Sequence, residues 1–268
     1  MDNQQFVATV WQYYHEHGRD LPWRQPEADG THDAYKILVS EVMLQQTQVQ
    51  RVIEKYHQFL AAFPTINDLA AASLASVLIL WSGLGYNRRA KFLWLAAQRL
   101  VDLPQPWSYD SLVTCPGIGP NTAAAVLVYA YNRPWAFIET NIRTAYIHHF
   151  FADQPVVSDQ AILQLVEQTY DQKQPREFFW ALMDYGSHLK SQVGNVARQS
   201  QHYAKQSRFE GSRRQLRGAV LRQLALAPQT MNQLSERLAD DRLTSVLEAL
   251  ISEGFITRHG ESLHLRDQ

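Results

Sequence analysis

Cysteine is nearly absent from this sequence of 268 residues, in which Cys115 is the single example. One thiol excludes a disulfide within the chain. It also excludes a zinc or iron–sulfur site that is held only by cysteines of this chain. No metal-ligand spacing is evident among the other residues, so we predict neither a metal nor a cofactor.

Long apolar runs and a strong net charge are also lacking. The longest apolar run, Thr122–Tyr131, is far short of the roughly 20 residues that a membrane-spanning helix needs. Met1–Gln12 has neither the basic segment nor the apolar stretch of a signal peptide. These features predict a cytoplasmic globular protein with no membrane partner. The net charge of −1 means that any surface for a polyanion must be local.

Basic residues do cluster locally. The window Val196–Arg222 contains a single acid, Glu210, among the basic residues Arg198, Lys205, Arg208, Arg213, Arg214, Arg217 and Arg222. Such clustering is typical of contacts to nucleic-acid phosphates. A solvated basic face has the same composition, so both interpretations stay open on this window alone.

Apolar residues recur at helical spacing over most of the chain, and no convincing strand pattern occurs before residue 255. The tail predicts three helices at Arg213–Leu226, Thr230–Leu238 and Asp241–Glu253, followed by a hairpin of Phe255–Thr257 and Ser262–Leu265. This order is that of a winged helix. The third helix carries acids, which argues against sequence-specific reading of DNA.

The segment Leu112–Val126 reads L-V-T-C-P-G-I-G-P-N-T-A-A-A-V and predicts a helix end, a hairpin and a new helix. Gly117 and Gly119 permit close approach of the backbone, and the N–H groups at the start of the next helix, around Thr122, suit a phosphate. Twenty residues past Gly119 lies Glu139, just before another apolar helix, where a carboxylate is able to face a cleft.

Six segments in order resemble the helix-hairpin-helix (HhH-GPD) DNA glycosylases, most closely the adenine glycosylase (MutY) branch. They are R-D-L-P-W-R at Arg19–Arg24, S-E-V-M-L-Q-Q-T-Q-V at Ser40–Val49, W-S-G-L-G-Y at Trp81–Tyr86, C-P-G-I-G at Cys115–Gly119, E-T-N-I at Glu139–Ile142 and A-L-M-D-Y-G at Ala181–Gly186. The resemblance implies an all-α, two-lobed glycosylase core with a small C-terminal winged-helix domain. We expect one lobe at 24–133, the second at 1–23 and 134–207, and the winged helix at 212–268.

The resemblance also implies base excision repair by a monomer that extrudes a wrong base from double-stranded DNA and hydrolyses its N-glycosidic bond. This reaction produces an oxocarbenium-like sugar and an anionic base, so it gains from a proton donor and a negative charge. Glu41 matches the family's proton donor, and Glu139 matches the acid that stabilises the sugar cation.

Further positions match the family's base pocket and DNA surface. Trp23 and Arg24 match pocket residues, and Gln46 and Tyr86 match residues that enter the duplex near the vacated position. Arg88, soon after Tyr86, extends this predicted DNA surface, together with Gly117, Gly119, Thr122, Arg198, Lys205, Arg213 and Arg214.

Four departures limit the transfer of function. The four cysteines of the family's iron–sulfur cluster are absent from Lys190–Gln206, and Glu139 stands in place of the usual aspartate. Asn121 replaces the lysine of bifunctional relatives or the tyrosine common in adenine glycosylases, which predicts a monofunctional enzyme without lyase activity. Trp180 occupies the position of a glutamine or glutamate that reaches adenine's amine.

These pocket changes narrowly favour a uracil-type base, such as uracil or 5-hydroxymethyluracil. Trp180 removes a partner of adenine's amine, the Asn121 carboxamide suits uracil, and the Nudix-like domain of adenine glycosylases is missing. One alternative is adenine mispaired with guanine or 8-oxoguanine, which agrees better with the family task of Glu41. The other is an inactive DNA-binding protein, against which the retention of Glu41 and an acid at 139 argues.

Overall fold

The computed structural model describes residues 1–201 and 208–267, and these are mainly helical, as predicted. The α-helices in these ranges are α1 (Asn3–His17), α2 (Ala34–Leu44), α3 (Val49–Ala62), α4 (Ile66–Ala71), α5 (Leu74–Trp81), α6 (Arg88–Leu100), α7 (Tyr109–Val113), α8 (Pro120–Tyr131), α9 (Thr140–Phe150), α10 (Asp159–Thr169), α11 (Pro175–Val193), α12 (Arg213–Leu226), α13 (Met231–Leu238) and α14 (Leu243–Ser252). The strands are β1 (Gln229–Thr230), β2 (Ile256–His259) and β3 (Ser262–Leu265). None of the helices described is both long and apolar enough to cross a membrane.

The described residues divide into two compact units. The first comprises residues 1–41, 105–114 and 118–201, and the second comprises 42–104, 115–117 and 208–267. This grouping differs from the predicted three-part division, because the C-terminal residues group with α3–α6. Ion pairs between the C-terminal residues and α6 connect positions that are far apart in sequence. Helical periodicity does not predict such contacts. The domain boundaries themselves stay a prediction.

The first unit has its core around α8, whose residues 122–130 are all buried. Phe6 of α1 packs on Tyr146 of α9, with ring centroids 4.8 Å apart. Helices α9 and α11 approach each other closely at Gly186, where an added Cβ would lie 2.0 Å from the carbonyl oxygen of Asn141. These contacts fix the segments on either side of Glu139.

Residues 208–267, here called the C-terminal module, belong to the second unit. Helix α12 is followed by β1, α13 and α14, then by the β2–β3 hairpin, and the sheet is antiparallel with the strand order β1-β3-β2. The order agrees with the predicted winged helix, to which β1 is an addition, and the third helix begins at Leu243 rather than Asp241. Assignment to the winged-helix class stays a prediction.

The helix-hairpin-helix segment consists of α7, a short turn and α8. Gly117 has φ +76°, and an added Cβ there would lie 2.6 Å from the Cβ of Phe92 in the second unit. Gly119 caps α8 and Pro120 is its first residue, so the helix begins with no side-chain capping bond. Glycine at position 117 is therefore required both by the backbone conformation and by the space available.

Candidate active site

Glu41 lies in the last turn of α2, next to the buried residues Ser40 and Val42. Its pKa is raised to about 8, chiefly by burial, then by the negative charge of Glu139, and Arg24 opposes the rise. The residue nevertheless keeps some accessible surface. Glu41 is therefore protonated at neutral pH and able to donate a proton.

Glu139 is the N-cap residue of α9 and is partly exposed. Burial raises its pKa, while the Arg143 cation and the Thr140 backbone N–H act to lower it. Arg143 is itself held by Asp159, through contacts of 2.8 and 2.6 Å. The Glu139 charge raises the pKa of Glu41, so Glu139 is the first of the two carboxyl groups to ionise. One acid and one carboxylate in a single site suit general acid catalysis and the stabilisation of a cation.

Arg24 joins this site to a buried ion-pair network. Its guanidinium donates two bonds to Asp184, of 2.8 and 2.7 Å. The same carboxylate accepts from the side chain and the backbone N–H of Arg19, at 2.7 and 2.8 Å. Asp184 is 2% exposed and both its oxygens are engaged. Asp184 therefore holds the Arg24 guanidinium in place, and neither of its oxygens is left to stabilise a sugar cation.

Trp180 forms a buried aromatic wall with Tyr129. The two rings are stacked with centroids 5.8 Å apart, and the Arg24 guanidinium lies 5.4 Å from the Trp180 ring. His32 also packs on Trp180, at 5.5 Å. Burial chiefly raises the pKa of Tyr129 and the charge of Glu41 adds to the rise, so the wall is close to Glu41. Sequence reasoning missed Tyr129 and His32, because neither belongs to a motif.

The remaining predicted pocket residues are placed differently. Trp23 is buried in the 3-10 turn Pro22–Arg24. Asn121 is exposed at the start of α8, and its side-chain oxygen accepts from the Ile138 backbone N–H at 3.5 Å. Asn121 therefore contacts the residue just before Glu139, which links it to the catalytic segment rather than to the aromatic wall.

In the second unit, both predicted duplex-entering residues have left-handed backbones. Gln46 has φ 54° and is exposed, and Tyr86 has φ 48° and is partly buried. Such conformations are uncommon for residues other than glycine and concentrate at functional sites. Buried Arg89 connects the loop that carries Gln46 with the loop that carries Tyr86, because it donates to Thr47 Oγ1 and to the Leu84 carbonyl at 3.0 and 3.1 Å. No motif identified Arg89.

The predicted phosphate-contacting residues are largely engaged by the protein itself. Arg88 pairs with Glu253 at 2.8 Å, and Arg213 donates to the Ser245 carbonyl at 2.8 Å. Arg214 contacts Tyr86. Arg198 is exposed, and Lys205 lies outside the described residues. Contacts of these residues with DNA stay a prediction.

The segment after α11, where relatives of the resembled family hold an iron–sulfur cluster, does not fit such a group. A 3-10 turn at Val196–Gln199 has Ala197 buried, and residues 157 and 200 pair as a parallel bridge. Gln199 donates to the Gln154 carbonyl at 2.9 Å. The side-chain donors described between residues 194 and 201 are amides, a hydroxyl and a guanidinium, which do not ligate iron–sulfur clusters, and hydrogen bonds hold these residues in place.

Comparisons with known proteins agree on one family. The model of the HhH-GPD superfamily of base excision DNA repair proteins matches residues 39–169. An adenine DNA glycosylase from Mycolicibacterium smegmatis is 34% identical over 274 residues, which cover 91% of this chain and 90% of that protein. One from Buchnera aphidicola is 35% identical over 190 residues, which cover 68% of this chain and 52% of the relative. The chain thus matches about half the length of the Buchnera protein.

A solved structure of a thermostable thymine-DNA glycosylase has the same fold. It covers 69% of this chain and 86% of its own, with a TM-score of 0.59 and 23% sequence identity. At this identity the likeness concerns the fold and not the substrate.

The predicted preference for a uracil-type base is wrong, because relatives at 34–35% identity are adenine DNA glycosylases. Trp180 is packed against Tyr129 and Arg24, where it belongs to a wall, so its presence does not imply that a purine is excluded.

Proposed function

Because the chain belongs to the HhH-GPD superfamily of base excision DNA repair proteins, we propose that it is a DNA glycosylase that excises adenine mispaired with guanine or 8-oxoguanine. The observation that carries this proposal is the pair of coupled carboxyl groups, of which Glu41 is protonated near neutral pH. A purine has ring nitrogens that accept such a proton, so a neutral glutamic acid suits its departure.

The proposed reaction uses both carboxyl groups and one water molecule. Glu41 transfers its proton to a ring nitrogen of the extruded adenine, and the electrons of the N-glycosidic bond pass to the base. The sugar becomes an oxocarbenium-like cation, which the Glu139 carboxylate stabilises. Water then adds to the sugar carbon and gives up a proton to Glu139. The products are neutral adenine and an intact abasic strand.

The rest of the site supports this division of labour. Tyr129, which stacks on Trp180, is close enough to Glu41 to interact with its charge, and burial of Glu41 is the main cause of its raised pKa. Arg143 supplies positive charge near Glu139, which favours the ionised form against the effect of burial. Asn121 has no amine to form a Schiff base, so the enzyme is expected to lack lyase activity. A cytoplasmic location and a monomeric state also stay predictions.

The proposal is tested by single-turnover assays on duplexes with A:8-oxoguanine, A:G, U:G and 5-hydroxymethyluracil:A pairs, followed by alkaline cleavage of abasic sites. Adenine release with inert uracil-type duplexes is expected, and Glu41→Gln is the matched inactive control. Retention of adenine in both mispairs would refute the proposal. Borohydride trapping tests the absence of lyase activity, and a high yield of covalent adduct would contradict it.

A further inference from the structure

An arginine of the C-terminal module lies close to two aromatic rings in the second unit. The Arg214 guanidinium is 4.6 Å from the ring centroid of Tyr86 and 5.4 Å from that of Phe209. It also donates a hydrogen bond to the Tyr86 hydroxyl. Arg214 belongs to the first turn of α12, whereas Tyr86 lies in the loop between α5 and α6. A guanidinium held over a ring in this way orients the ring as well as contributing charge.

The loop that carries Tyr86 depends on such contacts for its shape. Tyr86 itself has φ 48°, and Gly83 and Gly85 also have positive φ, of 98° and 72°. A left-handed tyrosine is unfavourable on its own and persists only where the surroundings hold it. Arg89 holds the loop backbone through the Leu84 and Gly85 carbonyls. Arg214 provides the bond to the Tyr86 hydroxyl.

The module is anchored to the helix that follows this loop, so Arg214 has a defined position. Glu253 accepts from Arg217 of α12 at 2.7 Å and pairs with Arg88 of α6 at 2.8 Å. Lys91 of α6 donates to the Glu253 carbonyl and lies 5.3 Å from the Phe255 ring. At the other end of the module, the Asp267 carbonyl accepts from the Leu74 backbone N–H at 3.3 Å.

We propose that Arg214 is a positioning residue for Tyr86, through which the C-terminal module takes part in base extrusion. Phe209, which is 49% exposed, is a second aromatic ring in contact with the same guanidinium. Arg214 thus acts on DNA through Tyr86 and not chiefly as a phosphate ligand. The inference rests on the proposed function and on the prediction that Tyr86 enters the duplex near the vacated position.

The experiment compares Arg214→Ala, Arg214→Lys and Arg213→Ala, each alone and combined with Tyr86→Ala. Arg213→Ala is the matched control, because it removes the same charge from the same helix turn without a contact to Tyr86. Two signals are measured. Amide hydrogen exchange of residues 83–87 is followed in the free protein, and the fluorescence of 2-aminopurine placed beside the mispaired adenine reports unstacking in the complex.

We expect Arg214→Ala to increase exchange at residues 83–87 and to lower the unstacking signal, each by about tenfold. Arg214→Lys should restore part of both signals. Arg214→Ala should add nothing in the Tyr86→Ala background, whereas Arg213→Ala should be additive with it. Thermal unfolding of each single variant identifies any that fails to fold. If Arg214→Ala fails to fold, Arg214→Lys is compared with Arg213→Ala instead.

Equal effects of Arg213→Ala and Arg214→Ala, both additive with Tyr86→Ala, would overturn the proposal and make Arg214 a phosphate ligand. Unchanged exchange at residues 83–87 in Arg214→Ala would also overturn it. Failure of the proposed function gives a different result. In that case the wild-type protein releases no adenine, while the exchange measurement on the free protein still decides whether Arg214 positions Tyr86.

Discussion

Two glutamates of the same site differ in what surrounds their carboxyl groups. Burial and the Glu139 charge raise the pKa of Glu41, and only Arg24 acts to lower it. Burial also raises the pKa of Glu139, but there Arg143 and a backbone N–H favour the charged form. Environment therefore assigns the acid and the carboxylate, and it does so although the two residues are chemically identical.

The rate of base excision should depend on pH through Glu41. A general acid must be protonated, and its pKa of about 8 means that the proton is present below that pH and lost above it. We expect the single-turnover rate to fall about tenfold per pH unit above about pH 8. Glu41→Gln should be slower by about 10²–10⁴-fold and lack this alkaline decline.

The control is Glu54→Gln, which alters an exposed glutamate of α3. It should keep the wild-type pH profile. A wild-type rate that stays constant or rises between about pH 7 and 10 would remove Glu41 from the role of proton donor.

Replacing the Glu139 carboxylate should affect chemistry and not DNA affinity. Glu139→Gln is expected to lower the single-turnover rate by about 10²–10³-fold, because stabilisation of the sugar cation is lost. Glu139→Asp retains the charge on a shorter side chain, so its rate should lie between those of the wild-type protein and Glu139→Gln. Near-normal turnover by Glu139→Gln would require another carboxylate, and Asp184 is not available because Arg19 and Arg24 engage it.

At the scale of the elements, the turn between α7 and α8 depends on Gly117. Its φ of +76° is strained for other residues, and an added Cβ would meet Phe92 at 2.6 Å. Gly117→Ala should therefore lower the free energy of unfolding by about 1–3 kcal/mol from the backbone alone, and by more from the clash. Denaturant unfolding measures this loss.

Gly30→Ala is the matched control for this prediction. Gly30 also has a positive φ, of +80°, but nothing lies within 4 Å of the added Cβ. The difference between the two variants therefore isolates the contact with Phe92. Equal destabilisation would mean that the helix-hairpin-helix turn tolerates a side chain at position 117.

Sequence patterns predicted the elements that depend on local chemistry. The helices, the start of α8 after the hairpin and the order of the C-terminal elements follow from periodicity, proline and glycine, and capping residues. The motifs also identified Glu41 and Glu139, and in the structure the charge of Glu139 raises the pKa of Glu41 in addition to the larger effect of burial. Their catalytic roles stay a proposal.

Contacts between residues distant in sequence were not predictable in this way. Tyr129 appears in the sequence as one more residue of an apolar helix, yet it stacks on Trp180 of α11. Trp180 was interpreted from its position in a motif alone, which led to the wrong base. The contacts of Arg214 with Tyr86 and of Arg88 with Glu253 likewise join segments that no local pattern connects.

At the scale of the whole molecule, one carboxylate links the C-terminal module to α6 in the second unit. Glu253 accepts two bonds from Arg217, of 3.0 and 2.7 Å, and one from Arg88 at 2.9 Å. Its side chain is 21% exposed and that of Arg217 is 19% exposed, so this pair is partly shielded from solvent. Arg88 is more open, at 63%. The shielded pair is therefore expected to contribute more to stability.

Glu253→Gln should weaken this attachment in a pH-dependent way. Bonds from Arg88 lead the causes that lower the pKa of Glu253 from 4.5 to about 2. For an acid with a lowered pKa, the added stability is present above the unfolded value and is lost as pH falls through the folded value. The wild-type protein should thus unfold at higher temperature than Glu253→Gln near pH 7, and the difference should shrink between about pH 4.5 and 2.

Glu210→Gln, which breaks a pair with both side chains exposed, should change the unfolding temperature little at either pH. If Glu253→Gln behaved like Glu210→Gln at pH 7, apolar packing around Phe255 would have to hold the module on α6, and the position of Arg214 beside Tyr86 would not depend on this carboxylate.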